Sequence, residues 1–190
     1  MKPTKNTGGS SLITYSAGHF LVDFACGYIL WSMYAKEELD GLSVISVFIL
    51  YNFFAFATQF IFGILADRIR SNGSAFAIAG CTSAAIGMLV GGHVPYLTVA
   101  LMGLGNAFYH IGGGIDAVPR DRGMTRAGIF VSTGALGIAL GCHMGADNKI
   151  PVFFIVALLI TTAVAISAFC NKTATTHARS FSRTKIHRKC

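Results

Sequence analysis

Charged residues are scarce in this sequence. They make up 12% of the 190 residues, whereas about 25% is usual for a soluble globular domain. The few charged segments are separated by apolar runs long enough to cross a bilayer, which takes about 20 residues. Soluble domains rarely combine so little charge with such long apolar runs. The composition therefore predicts an integral membrane protein whose main partner is the lipid bilayer.

Several motifs of catalysis and metal binding are also missing. The five cysteines form no C-x-x-C pair, so neither a disulfide framework nor a metal knuckle is indicated. An intramembrane hydrolase would need an activated serine with a histidine in reach, and Ser132 lies outside any G-x-S-x-G context. No H-E-x-x-H pair occurs. We therefore predict no enzyme activity, no cofactor and no metal site.

Six apolar segments divide the chain and predict an all-α, polytopic membrane protein with six transmembrane helices. Residues 1–11 are predicted to be a cytoplasmic N-terminus, 12–170 the membrane domain and 171–190 a disordered basic tail. The first apolar run is uninterrupted and longer than the core of a signal peptide, so no cleavage is expected. The segments cover residues 12–34, 43–66, 74–92, 96–117, 126–145 and 150–170.

The basic residues predict the orientation. If the N-terminus is cytoplasmic, only Lys36 and Lys149 of the 15 Lys and Arg residues fall on the outer side. Cytoplasmic loops of membrane proteins carry such an excess of Lys and Arg. Both termini are therefore expected in the cytoplasm. The net charge of +7 then reflects topology, and no nucleic-acid partner is expected.

Polar side chains inside the apolar segments come in pairs. His19 and Asp23 lie in the first segment, and Asn106 and His110 lie in the fourth. The members of each pair are four residues apart, so they project from one face of a helix. An ionised side chain at the bilayer centre costs at least about 3 kcal/mol. The pairs should therefore face a protein interior or a water-filled cavity, unless they only lock helix packing.

The two pairs match in depth. A rise of about 1.5 Å per residue puts both Asp23 and Asn106 near the bilayer midplane, and His19 and His110 at a similar level on the inner side. If these helices are neighbours, the four side chains form one polar cluster. The predicted substrate and proton pathway consists of His19, Asp23, Asn106, His110, Tyr109, Asn52 and Gln59. Asn52 and Gln59 are seven residues apart in the second segment and are predicted to share a helix face. For these two, hydrogen bonding between helices is an equal alternative.

A short pattern also occurs twice. Residues 18–27 and 105–114 both read G-polar-x3-polar-x3-G, in segments of opposite direction. This spacing favours two inverted repeats of three helices, an architecture in which transporters bind solutes near the midplane. The small-residue spacing of Gly137, Gly141 and Gly145 predicts close helix packing. Residues 112–114 are all glycine and predict a weakened or broken helix end.

The segment Gly63–Arg68 reads G-I-L-A-D-R. It resembles the G-x-L-A-D-R signature of the major facilitator superfamily, which lies between helices two and three. The first and fourth segments are also similar to bacterial members related to fosmidomycin-resistance efflux proteins, through G-H-F-x-x-D and an aromatic residue followed by histidine. The resemblance implies that Gly63, Asp67 and Arg68 belong to a loop that gates the cytoplasmic side. It also implies that the chain lies in a bacterial cytoplasmic membrane.

The resemblance covers about residues 12–170, which would be one half of a twelve-helix transporter. Two copies in the same orientation could build a homodimer, because the halves of this fold are related by an axis along the membrane normal. Alternatively, the chain is a truncated product that depends on a missing second half. The implied function is secondary transport of a small solute, with Asp23 carrying a coupled proton. A different function is a non-transporting membrane subunit that binds a partner through its helix faces.

Overall fold

The computed structural model describes residues 7–36, 44–69, 73–118 and 124–168. Regular structure in these ranges is helical throughout and includes no strand, which confirms the all-α prediction for the described residues. The expectations for the first six residues and for the basic tail lie outside these ranges. The α-helices are α1 (Thr7–Ala35), α2 (Val44–Asn52), α3 (Gln59–Ile69), α4 (Gly73–Val90), α5 (Pro95–Ala117), α6 (Met124–Asp147) and α7 (Val152–Ala168).

Three described segments are both long and apolar enough to cross a membrane: Val44–Arg68, Gly73–Val90 and Met124–Asp147. Helices α1 and α5 are also long, but they carry the buried polar pairs and are not among the three. Helix α7 is apolar and shorter. The chain therefore has several helices compatible with insertion into a bilayer.

The second apolar segment contains a break in its α-helical geometry. Residues Phe53–Ala57 form a turn of π-helix between α2 and α3, followed by Thr58. The hydroxyl of Thr58 donates to the carbonyl of Phe54 at 2.6 Å. A π-turn adds a residue to the helical turn and so rotates the side chains that follow. Residues before and after it therefore do not keep the α-helical periodicity assumed from the sequence.

Helix α1 is the centre of the fold. Its side chains Val22, Ala25 and Cys26 are fully buried. Helix α6 lies against α1 with its glycines facing carbonyl oxygens of α1, so that a Cβ at Gly137 or Gly141 would collide with α1 backbone. These contacts occur in the same order along both helices, which means that α1 and α6 run parallel. The close packing predicted for these glycines is thus a contact between two helices of the same chain.

Helices α4 and α5 form a second close contact, and they run antiparallel. A Cβ at Gly80 would lie 2.7 Å from the carbonyl oxygen of Gly105, and one at Gly105 would lie 2.9 Å from the Ala84 nitrogen. Near the end of α5, Gly112 faces the backbone of α4 in the same way. Helix α5 continues unbroken to Ala117. The predicted break at residues 112–114 is therefore wrong, because this part of α5 is held by packing against α4.

Large apolar side chains cover much of the outer surface. They are exposed on the second segment, on α4, on α6 and on α7. Water-soluble monomers rarely expose apolar patches of this extent. Lipid chains, in contrast, solvate such a surface without cost. The outer helices therefore have the surface expected of a membrane protein, whereas polar groups are gathered in the interior.

We predict that Gly141→Ala destabilises the fold, because the added methyl group meets the Phe24 carbonyl at a backbone that cannot move aside. Overpacking of this kind costs about 1–3 kcal/mol. The measurement is the midpoint of thermal unfolding in detergent, followed by the fluorescence of Trp31, the single tryptophan.

The matched control is Gly128→Ala on the same helix, where nothing lies within 4 Å of the added carbon. This variant should keep or raise the midpoint, since alanine favours a helix over glycine by about 1 kcal/mol. Equal effects of the two substitutions would contradict the role given to the α1–α6 contact.

Candidate functional site

Helices α1 and α5 bring the two predicted polar pairs into one cluster. His19 and Asp23 project from α1, and their exposed fractions are 1% and 6%. Asn106 and His110 project from the antiparallel helix α5, and Asn106 is 1% exposed. We call these four residues the central cluster. Its members come from segments more than 80 positions apart, so tertiary packing alone joins them.

The side chains of the central cluster contact one another directly. The amide Nδ2 of Asn106 donates a hydrogen bond to Oδ1 of Asp23. Nε2 of His19 lies 3.4 Å from Oδ2 of Asp23, and Nε2 of His110 lies 4.0 Å from Oδ1. The two imidazoles meet through their Nε2 atoms at 2.8 Å. One carboxylate is thus surrounded by one amide and two imidazole rings.

A backbone carbonyl of α6 sets the tautomer of His19. Nδ1 of His19 lies 2.7 Å from the carbonyl oxygen of Phe130. Since a carbonyl oxygen only accepts, Nδ1 carries the proton and Nε2 of the neutral ring presents a lone pair to the cluster. His110 must then donate through its own Nε2 to complete the contact between the rings. The cluster therefore has a defined order of donors and acceptors.

Helix α6 also shapes the cluster sterically. A Cβ at Gly134 would lie 2.5 Å from Oδ2 of Asp23, so only glycine leaves room for the carboxylate at this position. The ring of Phe130 stacks on His19 with 4.3 Å between centroids. From α5, Tyr109 donates to the carbonyl of Tyr15 at 3.0 Å and holds the two helices together beside the cluster. The aromatic surroundings exclude water from most of the site.

No Lys or Arg of the described residues pairs with Asp23. Its ion-pair contacts are the two histidines, each of which is charged only when protonated. A buried carboxylate without a permanent positive partner is costly as an anion. The site is therefore suited to a positive charge that arrives and leaves, such as a proton, a metal ion or part of a cationic solute.

The cluster has one partly open side. The side chain of His110 is 20% exposed, in contrast to the buried His19. The ring of Phe56, in the π-turn of the second segment, lies edge-on to His110 with 6.1 Å between centroids. Phe56 itself is exposed. Access to the central cluster would therefore pass between the π-turn and α5.

Three predicted pathway residues lie outside the four-residue central cluster. Tyr109 is beside it, with 6.1 Å between its ring centroid and that of His19, whereas Asn52 and Gln59 belong to the second segment. Asn52 donates to the carbonyl of Phe48 at 2.7 Å, and Gln59 donates to the carbonyl of Ala55 at 2.8 Å. Each side chain thus bonds to its own segment four residues earlier. The π-turn lies between Asn52 and Gln59, so the seven-residue spacing does not put them on one face as the sequence had suggested.

The G-I-L-A-D-R motif lies within a helix in the structure. Gly63, Asp67 and Arg68 all belong to α3, and the positions described as a gating loop are therefore helical up to Ile69. Asp67 and Arg68 are exposed. A Cβ added at Gly63 would lie 3.9 Å from the side chain of Ile111 on α5. Residues 70–72, which follow α3, lie outside the described residues.

Sequence reasoning missed several contacts around the cluster. At one end of α1, Tyr15 donates to Asp116 of α5 at 2.5 Å. At the other end, Tyr28 donates to the carbonyl of Ile150 at 2.7 Å, and Ser32 donates to Asn148 at 2.8 Å. None of these residues stands in a recognisable motif. Their pairing depends on which helices are neighbours, and no local signal contains that information.

Comparisons with known proteins add no identification, since no family model, curated protein or solved structure matches this chain.

The hydrogen bond between Asn106 and Asp23 gives a prediction. Asn106→Leu should lower the free energy of unfolding by about 1–3 kcal/mol, because a buried carboxylate loses its amide donor. The double variant Asp23→Leu/Asn106→Leu should be more stable than this single variant, since it removes both polar groups. Thermal unfolding in detergent measures both. Purely additive losses would show that the two side chains are not energetically coupled.

Proposed function

We propose that this chain is a membrane transporter for a small solute and that the central cluster is its binding site. The observation that carries the proposal is a buried carboxylate, contacted by two histidines and an asparagine, with no Lys or Arg partner among the described residues. Ionisable groups within membrane-spanning segments are costly and typically mark solute or ion pathways. The proposal includes membership of the major facilitator superfamily, for which the G-I-L-A-D-R motif is the support.

A purely structural role for the cluster is less favourable. Replacing a buried ionic group by apolar side chains of similar volume is often neutral or stabilising. Helices α1, α5 and α6 already pack closely through glycines and apolar side chains. A fold held in this way does not need a carboxylate at its centre. A role in binding the transported solute or proton would explain why a carboxylate is present there.

The helix directions support the six-span arrangement that the proposal requires. Helix α6 runs parallel to α1, and α5 runs antiparallel to it, as spans five and four would in an alternating chain. With the basic residues on the inner side, both termini would be cytoplasmic in a bacterial cytoplasmic membrane. The inverted repeat is supported by the meeting of its two polar pairs. A homodimer or a separate second half would complete the twelve-helix form.

The non-transporting subunit is the less favoured function. That hypothesis requires a helix face that is free to bind a partner, but the close-packing face of α6, with Gly137, Gly141 and Gly145, lies against α1 inside the chain. A partner would have to bind the exposed apolar surface instead. The two functions also differ at one residue: a transporter requires the carboxylate of Asp23, whereas a subunit should tolerate Asp23→Asn.

The proposal predicts that water reaches the cluster from both sides of the membrane in turn. We would introduce His110→Cys into a chain whose five native cysteines are alanine. The probe is methanethiosulfonate ethylsulfonate, which does not cross bilayers and reacts with the thiolate form of cysteine. It is applied separately to inside-out and right-side-out vesicles, and modification is measured by mass spectrometry. A transporter should be modified in both preparations.

The matched control is Ile160→Cys in the same background, because Ile160 is exposed on the apolar surface of α7. A thiol in contact with lipid does not ionise, so neither preparation should react. Modification of His110→Cys from one side only, or from neither, would contradict alternating access. That result would leave the chain as a static membrane protein.

A further inference from the structure

We propose that His19, Asp23 and His110 bind a divalent transition-metal ion of the Zn²⁺ and Co²⁺ class. One ligand atom from each residue lies within 4.8 Å of the other two. Two imidazole nitrogens and one carboxylate oxygen are a common ligand set for such ions. The sequence indicated no metal site, because the ligands come from two distant helices and form no spaced motif. The inference stands on this geometry and does not depend on transport.

His19 is oriented as metal-binding histidines usually are. Its Nδ1–H donates to the Phe130 carbonyl, so its Nε2 lone pair points into the cluster. Ligating histidines in proteins typically donate their other ring nitrogen to a carbonyl or carboxylate, which fixes the ring and raises its basicity. The stacked ring of Phe130 restrains His19 further. Nε2 of His19 therefore already has the orientation of a metal ligand in the metal-free protein.

Asn106 provides a second, independent observation. Its amide nitrogen holds the carboxylate of Asp23, as the supporting residues of metal sites do. Its Oδ1 is buried and accepts no hydrogen bond among the described residues. Buried polar atoms are nearly always paired in proteins, and an unpaired one calls for an explanation. An ion with its bound water molecule would give this oxygen a partner.

Charge and ligand type select the class of ion. A divalent cation offsets the buried negative charge of Asp23, for which no Lys or Arg of the described residues provides a partner. Mg²⁺ and Ca²⁺ prefer sites made of oxygen ligands alone. Imidazole ligands favour Zn²⁺, Co²⁺ and related ions. The mixed nitrogen and oxygen set thus favours a transition metal over an alkaline-earth ion.

Binding requires one rearrangement at His110. Without metal, its Nε2–H donates to Nε2 of His19 at 2.8 Å. With metal, both Nε2 atoms become ligands, so the proton of His110 moves to its Nδ1 and the ring stays neutral. Zn–N bonds of about 2.0–2.1 Å in tetrahedral geometry separate the two nitrogens by about 3.3 Å. His110 is the partly exposed member and has the freedom to move by this small amount.

The test is a Co²⁺ titration of the purified, tag-free chain in detergent, followed by the visible absorption of four- or five-coordinate Co²⁺. We expect one saturable ion per chain, which Zn²⁺ displaces. His110→Asn and His19→Asn should each weaken binding by more than about 100-fold, since loss of a supporting partner alone costs 10–100-fold. His19→Asn can keep the donor to the Phe130 carbonyl, and thermal unfolding shows whether each variant is folded.

The matched control is His143→Asn on α6, an exposed histidine outside the cluster. It should leave the affinity unchanged. Absence of saturable binding by the unmodified chain, or binding that folded cluster variants retain, would overturn the proposal. Saturable binding together with one-sided access of His110→Cys would keep the metal site and remove the transport function, so the two proposals fail separately.

Discussion

A carboxylate at the centre of an apolar helix bundle is the constraint on which the rest of this structure depends. Asp23 is 6% exposed and has no Lys or Arg partner among the described residues. Its environment must supply polar contacts from other helices, because its own helix offers only His19. Helix α5 provides an amide and a second imidazole at the right height. The placement of α5 beside α1 is therefore required by electrostatics as much as by packing.

Glycine makes this arrangement sterically feasible. The parallel helix α6 approaches α1 so closely that backbone carbonyls of α1 occupy the space where Cβ atoms would be. One of these glycines, Gly134, leaves room for Asp23 itself. On the far side of α5, glycines of α4 and α5 make the second close contact. Short distances between backbones let short polar side chains meet. The large apolar side chains are left on the outer surface.

Hydrogen bonds towards the two ends of α1 flank the central cluster. Tyr15 and Asp116 join α1 to α5 at one end, and Tyr28 and Ser32 bond to the segment around Asn148 and Ile150 at the other. Hydrogen bonds between neutral groups, such as those of Tyr28 and Ser32, contribute about 1 kcal/mol net each, and a bond to a carboxylate such as that of Asp116 contributes about 1.5–3 kcal/mol. The central cluster lies between these two groups of hydrogen bonds along α1. His110 is partly exposed and the ring of Phe56 in the π-turn lies edge-on to it, so the cluster is not fully enclosed on this side.

The sequence by itself determined the helical character, the approximate bounds of the apolar segments and the pairing of polar residues within each helix. Those features follow from local composition and from the 3.6-residue period, under which His19 and Asp23, or Asn106 and His110, must share a face. Local periodicity also misled, since the π-turn separates Asn52 from Gln59 and the three glycines of α5 do not break it. Only the tertiary structure decided which helices touch. Three features depend on contacts across more than 80 residues of chain: the bond between His19 and the Phe130 carbonyl, the space left by Gly134, and the approach of His110 to His19 and Asp23. Such contacts arise from the packing of whole helices, and no short stretch of sequence contains them.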